Sequence, residues 1–143
     1  MSDDSQLCFV DTNVLVNALD KRISPKKQIA QRLMQELMEG DRLRVSTQVL
    51  QELFVVLTRK VNDCCSSEEA LAVLEDLTAW PLMVVDHAAI RAAARLAEQA
   101  KLSFWDGLIV VSAARAGATV RCSEDLNDGQ VILGVRISNP SAV

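Results

Sequence analysis

The chain has 143 residues, half of them hydrophobic and 24% charged, with a net charge of −4. That is long enough to bury a core and too apolar for a disordered segment. No uncharged run reaches the roughly 18 to 20 apolar residues that span a bilayer, and the acidic balance is unlike that of a general nucleic-acid binder.

Residues 1–7 are polar and acidic, the wrong character for a secretory signal, so a cytoplasmic location is expected. The cysteines agree with that compartment. Cys64 and Cys65 are adjacent, Cys8 and Cys122 sit in apolar strand-like runs, and His87 is the only histidine. No CxxC spacing is present, which argues against a Cys/His zinc site. Cys8 and Cys122 read as small core residues.

Taken in order, the elements alternate between strand and helix. LCFV (7–10) reads as a buried strand and leads into a helix over 12–18. Ser24 offers an N-cap with Pro25 at the first helical position, and the helix that follows carries Ile29, Leu33 and Leu37 and stops at Gly40. RLRV (42–45) is a second strand. Ser46 or Thr47 caps the next helix, with Val49, Leu50, Leu53, Phe54 and Leu57 at helical spacing. Ser66 and Glu69 form a capping-box pattern opening a helix that ends before Pro81. LMVV (82–85) is a third strand, and Asp86 caps an Ala-rich helix over 87–101. Ser103 caps another over 104–116, closed by Gly117. TVRC (119–122) and VILGVRI (131–137) supply the last strands.

No repeat or linker divides the chain, and a single domain over 1–143 is expected. Alternating strands and helices with right-handed crossovers predict a three-layer α/β/α sandwich around a parallel sheet of four or five strands. Ligands in such sheets bind outside the carboxyl ends of the strands. Asp11 follows the first strand there, and Asp125 follows TVRC. Asp106 lies in the first turn of its helix, and Glu52 lies a turn and a half into another. The topology can gather these four acids around one cleft, with Asp128 as a candidate fifth.

Each acid also has an ordinary reading. Asp11 suits a helix N-cap, Asp106 answers a helix dipole, Glu52 could be a solvated helix residue, and Asp125 and Asp128 beside Gly129 suit a turn. Together they form a set that is costly without a counter-ion, since unit charges 4 Å apart repel by about 4 kcal/mol at an effective dielectric near 20. Neutralising Asp11 is therefore expected to stabilise the metal-free chain by roughly 1 kcal/mol. An all-oxygen acid cluster suits Mg²⁺ or Mn²⁺, and phosphodiester hydrolysis is the chemistry such a site supports. A phosphatase with Asp11 as nucleophile is disfavoured because Asn13 stands where a DxD pattern needs its second acid. Lys21, Arg22, Lys26 and Lys27 are the candidate phosphate contacts.

FVDTNVLVNAL (9–19), STQVLQELFVVL (46–57), LSFWDGLIVVSAARAGATVRCSEDL (102–126) and VRISNP (135–140) together resemble the PIN domain family, most closely the VapC-type toxin ribonucleases of bacterial toxin–antitoxin pairs. The resemblance runs from Phe9 to Pro140. It implies a divalent-metal endoribonuclease in which Asp11, Glu52, Asp106 and Asp125 are the catalytic acids. Asp11, Asp106, Asp125 and the less constant Asp128 would hold Mg²⁺ or Mn²⁺, with Asn13 and Ser123 in support. RNA as substrate, a cognate antitoxin and a homodimer are the expected partners. An acidic cleft also fits a bidentate arginine, so the antitoxin is expected to bring an Arg or Lys to the four acids. A PIN nuclease of RNA processing, one acting on DNA, and a module that binds RNA or protein without cutting are the alternatives.

Overall fold

The computed structural model describes residues 5–59, 65–124 and 128–141. Six helices and six strands follow in the order β1 (Cys8–Val10), α1 (Thr12–Leu19), α2 (Pro25–Glu39), β2 (Leu43–Ser46), α3 (Thr47–Arg59), α4 (Ser67–Leu77), β3 (Leu82–Met83), α5 (His87–Ala100), α6 (Phe104–Arg115), β4 (Val120–Cys122), β5 (Val131–Ile132) and β6 (Val135–Ser138). No helix among the described residues is long and apolar enough to cross a membrane.

The strands form one sheet in the order β3-β2-β1-β4-β6-β5. The pairings β1–β2, β1–β4, β2–β3 and β4–β6 are parallel, giving the expected α/β sheet with helices between its strands. The sixth strand departs from expectation. Residues 131–137 do not run as one strand but fold back as the antiparallel β5–β6 hairpin. Leu133 (φ 52°) and Gly134 (φ 75°) both take left-handed backbone, which a two-residue primed turn requires.

Local chemistry sets the helix ends. Ser24 Oγ accepts from the Lys27 N–H at 3.1 Å with Pro25 at the first position. Ser66 and Glu69 close a reciprocal capping box. Asp86 accepts from the Ala89 N–H at 2.8 Å, and Ser103 from that of Asp106 at 3.0 Å. Of the two candidates for α3, Ser46 is the cap, accepting from the Val49 N–H. Thr47 instead accepts from the Val85 N–H and ties the chain after β3 to α3.

Every residue of β1 and β4 is buried, as the inner strands of a sheet covered on both faces must be. The main core unites Phe9, Val10, Val14, Leu37, Leu43, Val45, Val49 and Leu53, with Ile109 from α6. Cys8 and Cys122 are buried within it as thiols. A second cluster joins α5 and α6 through Ala89, Ala93, Leu108 and Val111. Helix α6 is buried over seven consecutive residues, 107–113, and is apolar all round, as an internal helix should be. Gly107 lets the two helices close together. A Cβ there would come within 2.9 Å of the Ala93 carbonyl oxygen, a backbone atom that cannot swing aside. The glycine thus sets the α5–α6 spacing in the turn of α6 that carries Asp106.

Candidate active site

The chain builds β1, β2 and β3 towards one edge of the sheet and then returns to place β4 on the other side of β1. Between β1 and β4 the connections leave in opposite directions and open a crevice at the carboxyl ends of the strands. Asp11 stands there, its N–H donating to the Cys122 carbonyl at 2.9 Å. The cleft above it, about 470 Å³, is lined by Asp11, Glu52, Asp106, Arg121, Gln48 and Trp105 among others. Three of the four sequence-predicted acids thus meet from three elements: the end of β1, α3, and the first turn of α6. The fourth, Asp125, lies outside the described residues, as does Cys64.

The floor of the cleft holds a cation. Arg121, from the middle of β4, is only 5% exposed at its side chain. Its Nε donates to both Asp11 oxygens, at 3.1 and 2.9 Å, and its Nη2 lies 2.8 Å from Oδ2. The same Nη2 is 3.6 Å from Asp106 Oδ1. This residue was not among the candidates. The signal for it was nonetheless present: a charged residue inside a strand otherwise apolar must find an opposite charge if that strand is internal.

Arg121 changes three expectations. The Asp11 carboxylate does not cap α1, since it makes no hydrogen bond to that helix; the backbone carbonyl of Asp11 accepts the helix N–H groups instead. The acids are not a bare cluster of like charges, because Asp11 has its counter-ion within the chain. The guanidinium expected from a partner is, for Asp11, already supplied by β4.

Asn13 reaches the residues that lie beneath Asp11. Its Nδ2 donates to Ser123 Oγ at 3.4 Å, and its Oδ1 accepts from the Glu124 N–H at 3.3 Å. Ser123, fully buried, in turn hydrogen-bonds the Asp11 side chain. The two residues form a relay under the acid. Burial pushes the Asp11 carboxyl above its usual range. The charge and hydrogen bonds of Arg121, with the bond from Ser123, pull it back, and the charge of Asp106 adds to the rise. Glu52 is also raised, chiefly by burial, against the hydrogen bond that Thr12 Oγ1 donates at 3.2 Å; the charge of Asp11 raises it further.

The remaining candidates lie elsewhere. Asp128 accepts from the Asn139 N–H at 2.8 Å, in the turn leading to Gly129 (φ 88°), and does not line the cleft. Its carboxylate serves the loop. None of Lys21, Arg22, Lys26 and Lys27 lines the cleft. Arg22 pairs with Asp20, Nε to Oδ1 at 3.4 Å, and Lys26 reaches Glu124 at 3.7 Å. Local pairing thus accounts for half of that basic cluster. Glu124, also unforeseen, collects Asn17, Ser141 and Lys26 on its carboxylate.

The donor chemistry of Asp11, Glu52 and Asp106 suits a hard divalent ion, but their arrangement with the guanidinium seated on Asp11 does not. Both oxygens of Asp11 are held by Arg121. Among the described residues no three acid, histidine or cysteine side chains converge closely enough to hold a metal.

A parallel α/β domain with an acidic cleft at its switch point is the class that fold and site define. The PIN domain family model matches residues 8–127, and the chain belongs to that family. None of the curated proteins matches it. Among solved structures, it is similar to a toxin–antitoxin complex from Klebsiella pneumoniae (15% identity, 95% of this chain and 99% of that one, TM-score 0.69). It is also similar to VapC20 of Mycobacterium tuberculosis, a sarcin–ricin loop cleaving toxin (19%, 90% and 98%, 0.66). A third likeness is to the DNA-bound VapBC of Salmonella typhimurium (20%, 94% and 98%, 0.65). At these identities the likeness establishes the fold.

Proposed function

We propose that this chain is a nuclease that hydrolyses phosphodiester bonds in single-stranded RNA, that it is the toxin half of a toxin–antitoxin pair, and that it uses Mg²⁺ or Mn²⁺. The observation that carries the reading is the convergence of Asp11, Glu52 and Asp106 on one cleft of a PIN domain. Asp125, two residues beyond Ser123 in sequence, is proposed as the fourth acid. Glu52 is proposed as the general base. Its raised carboxyl holds a proton more readily than a free one, and Thr12 fixes its orientation. Asp11, clamped by Arg121 and Ser123, is the fixed wall of the site.

Trp105 supports a single-stranded substrate. It stands at the cleft 64% exposed, edge-on to Phe104, and offers an open aromatic face to a base. An antitoxin partner is proposed from the neighbours, which include complexes of toxin with antitoxin, and a homodimer is proposed as the assembly. A PIN module that binds RNA or protein without cutting is the second reading. One observation favours it, the two-point hold of Arg121 on Asp11.

An end-labelled single-stranded RNA incubated with the purified protein separates the two. Cleavage in Mn²⁺ that stops in EDTA, and that Asp106→Asn abolishes while the melting curve is preserved, is the expected result. An Asp106→Asn protein cutting at the wild-type rate would overturn the site. RNA binding without any cleavage would establish the second reading.

A further inference from the structure

The Asp11 carboxylate presents two oxygens, and Arg121 engages both. A divalent ion shared between Asp11 and Asp106 needs one oxygen from each at about 2.0 to 2.1 Å. The space between those carboxylates is where Nη2 lies, 2.8 Å from one and 3.6 Å from the other. A metal cannot take that position while the guanidinium holds it. Nor can the guanidinium lose its charge, because arginine stays protonated in proteins. The side chain cannot drift easily into water either, since it rises from an internal strand paired on both sides, Phe9 facing it in β1 and Ile137 in β6.

We infer that Arg121 is the resident cation of this cleft and sets its affinity for divalent metal: an ion binds across Asp11 and Asp106 only by displacing the guanidinium. The chain is therefore a reluctant metal binder, and Arg121 is a positioning residue that keeps Asp11 in place without an ion. This rests on the nuclease reading for the relevance of metal, but its test does not require cleavage.

Mn²⁺ alone, without RNA, is titrated into wild type, Arg121→Gln and Arg121→Lys, with free Mn²⁺ followed by electron paramagnetic resonance. Arg121→Gln should bind Mn²⁺ at least about tenfold more tightly, because the positive charge that competes for the two carboxylates is gone. Arg121→Lys keeps one charge but lacks the planar fork that matches a carboxylate, and should fall between wild type and Arg121→Gln. In melting curves, Arg121→Gln should unfold below wild type in EDTA and gain more from Mn²⁺. If Arg121→Gln does not fold without metal, the lysine variant decides. Unchanged or weaker Mn²⁺ affinity on losing the guanidinium overturns the inference. A wild type that cuts no RNA, yet gains Mn²⁺ affinity on losing Arg121, retains the inference while the nuclease reading fails. Cleavage with Mn²⁺ affinity indifferent to residue 121 does the reverse.

Discussion

Two carboxylates stand just past the ends of neighbouring strands and are held in opposite ways. Asp11 follows β1 and is met by a buried arginine. Glu124 follows β4, is 8% exposed at its side chain, and is met mostly by neutral donors, with one lysine that is itself 65% exposed. Asn13 and Ser123 connect the two. A charge matched by a buried charge depends on its partner's presence, because either one alone is stranded in a poor solvent. A charge matched by amides and hydroxyls depends on no single partner. The first arrangement lets one cation compete with another, whereas the second is a fastening. It ties α1 to residues 139–141.

Asp11→Asn should show the largest difference. It strands Arg121, and removing one member of a buried ion pair costs about 3 to 5 kcal/mol. The low end is expected, because Asp106 remains within 3.6 Å of Nη2. This reverses the expectation from sequence that neutralising Asp11 would be stabilising. Urea unfolding in EDTA decides between the two signs. Asn17 and Ser141 donate to different oxygens of Glu124, and Glu124→Gln keeps an acceptor for only one of them, so a loss of about 1 kcal/mol is expected, the worth of an ordinary hydrogen bond. A loss as large as that of Asp11→Asn would erase the contrast.

Glu52→Gln should be mildly stabilising at pH 7, by well under 1 kcal/mol, since the residue is only partly covered and solvent screens its neighbours. The sign follows from its raised carboxyl. A group that holds its proton more tightly when folded contributes stability below its unfolded value, and that contribution is lost as pH rises through the folded one. The advantage of glutamine should therefore fade as pH falls towards 4, which melting curves across that range would register. Lys26→Met should be smallest, within about 0.5 kcal/mol and insensitive to salt, because one exposed ion pair contributes little. A strong salt dependence of the wild-type melt that vanished in this variant would show that Glu124 relies on its lysine after all.

What was legible in the sequence was chiefly what is local. Ser24, Ser66 with Glu69, Asp86 and Ser103 cap the helices they precede because a cap needs only its next three residues. The acids Asp11, Glu52 and Asp106 could be brought together because strand ends and crossover handedness are topological. The hairpin was missed because VILGVRI is apolar nearly throughout, and Leu133 in a left-handed turn has no signature beyond Gly134 beside it. Arg121 was missed for a different reason. Its role depends on which strand becomes internal, and a strand's rank in the sheet is not written within the strand itself. Asp128 lies away from the cleft because one of its oxygens takes the N–H of Asn139 beyond β6, a pairing that depends on how the last strands fold back.

The contact between Gly107 and the Ala93 carbonyl bears on how this cleft can change over time. A Cβ at residue 107 would meet the Ala93 carbonyl oxygen at 2.9 Å and the Ala97 methyl at 3.4 Å, so the spacing of α5 and α6 beside Asp106 depends on the glycine. Substitutions among the leucines and valines of the main core can accumulate and compensate one another without altering that spacing. A single methyl group at residue 107 cannot be absorbed in this way. It would have to push α5 and α6 apart and carry Asp106 away from Arg121. Residue 107 is therefore a seam beside the cleft at which an added methyl group has no room.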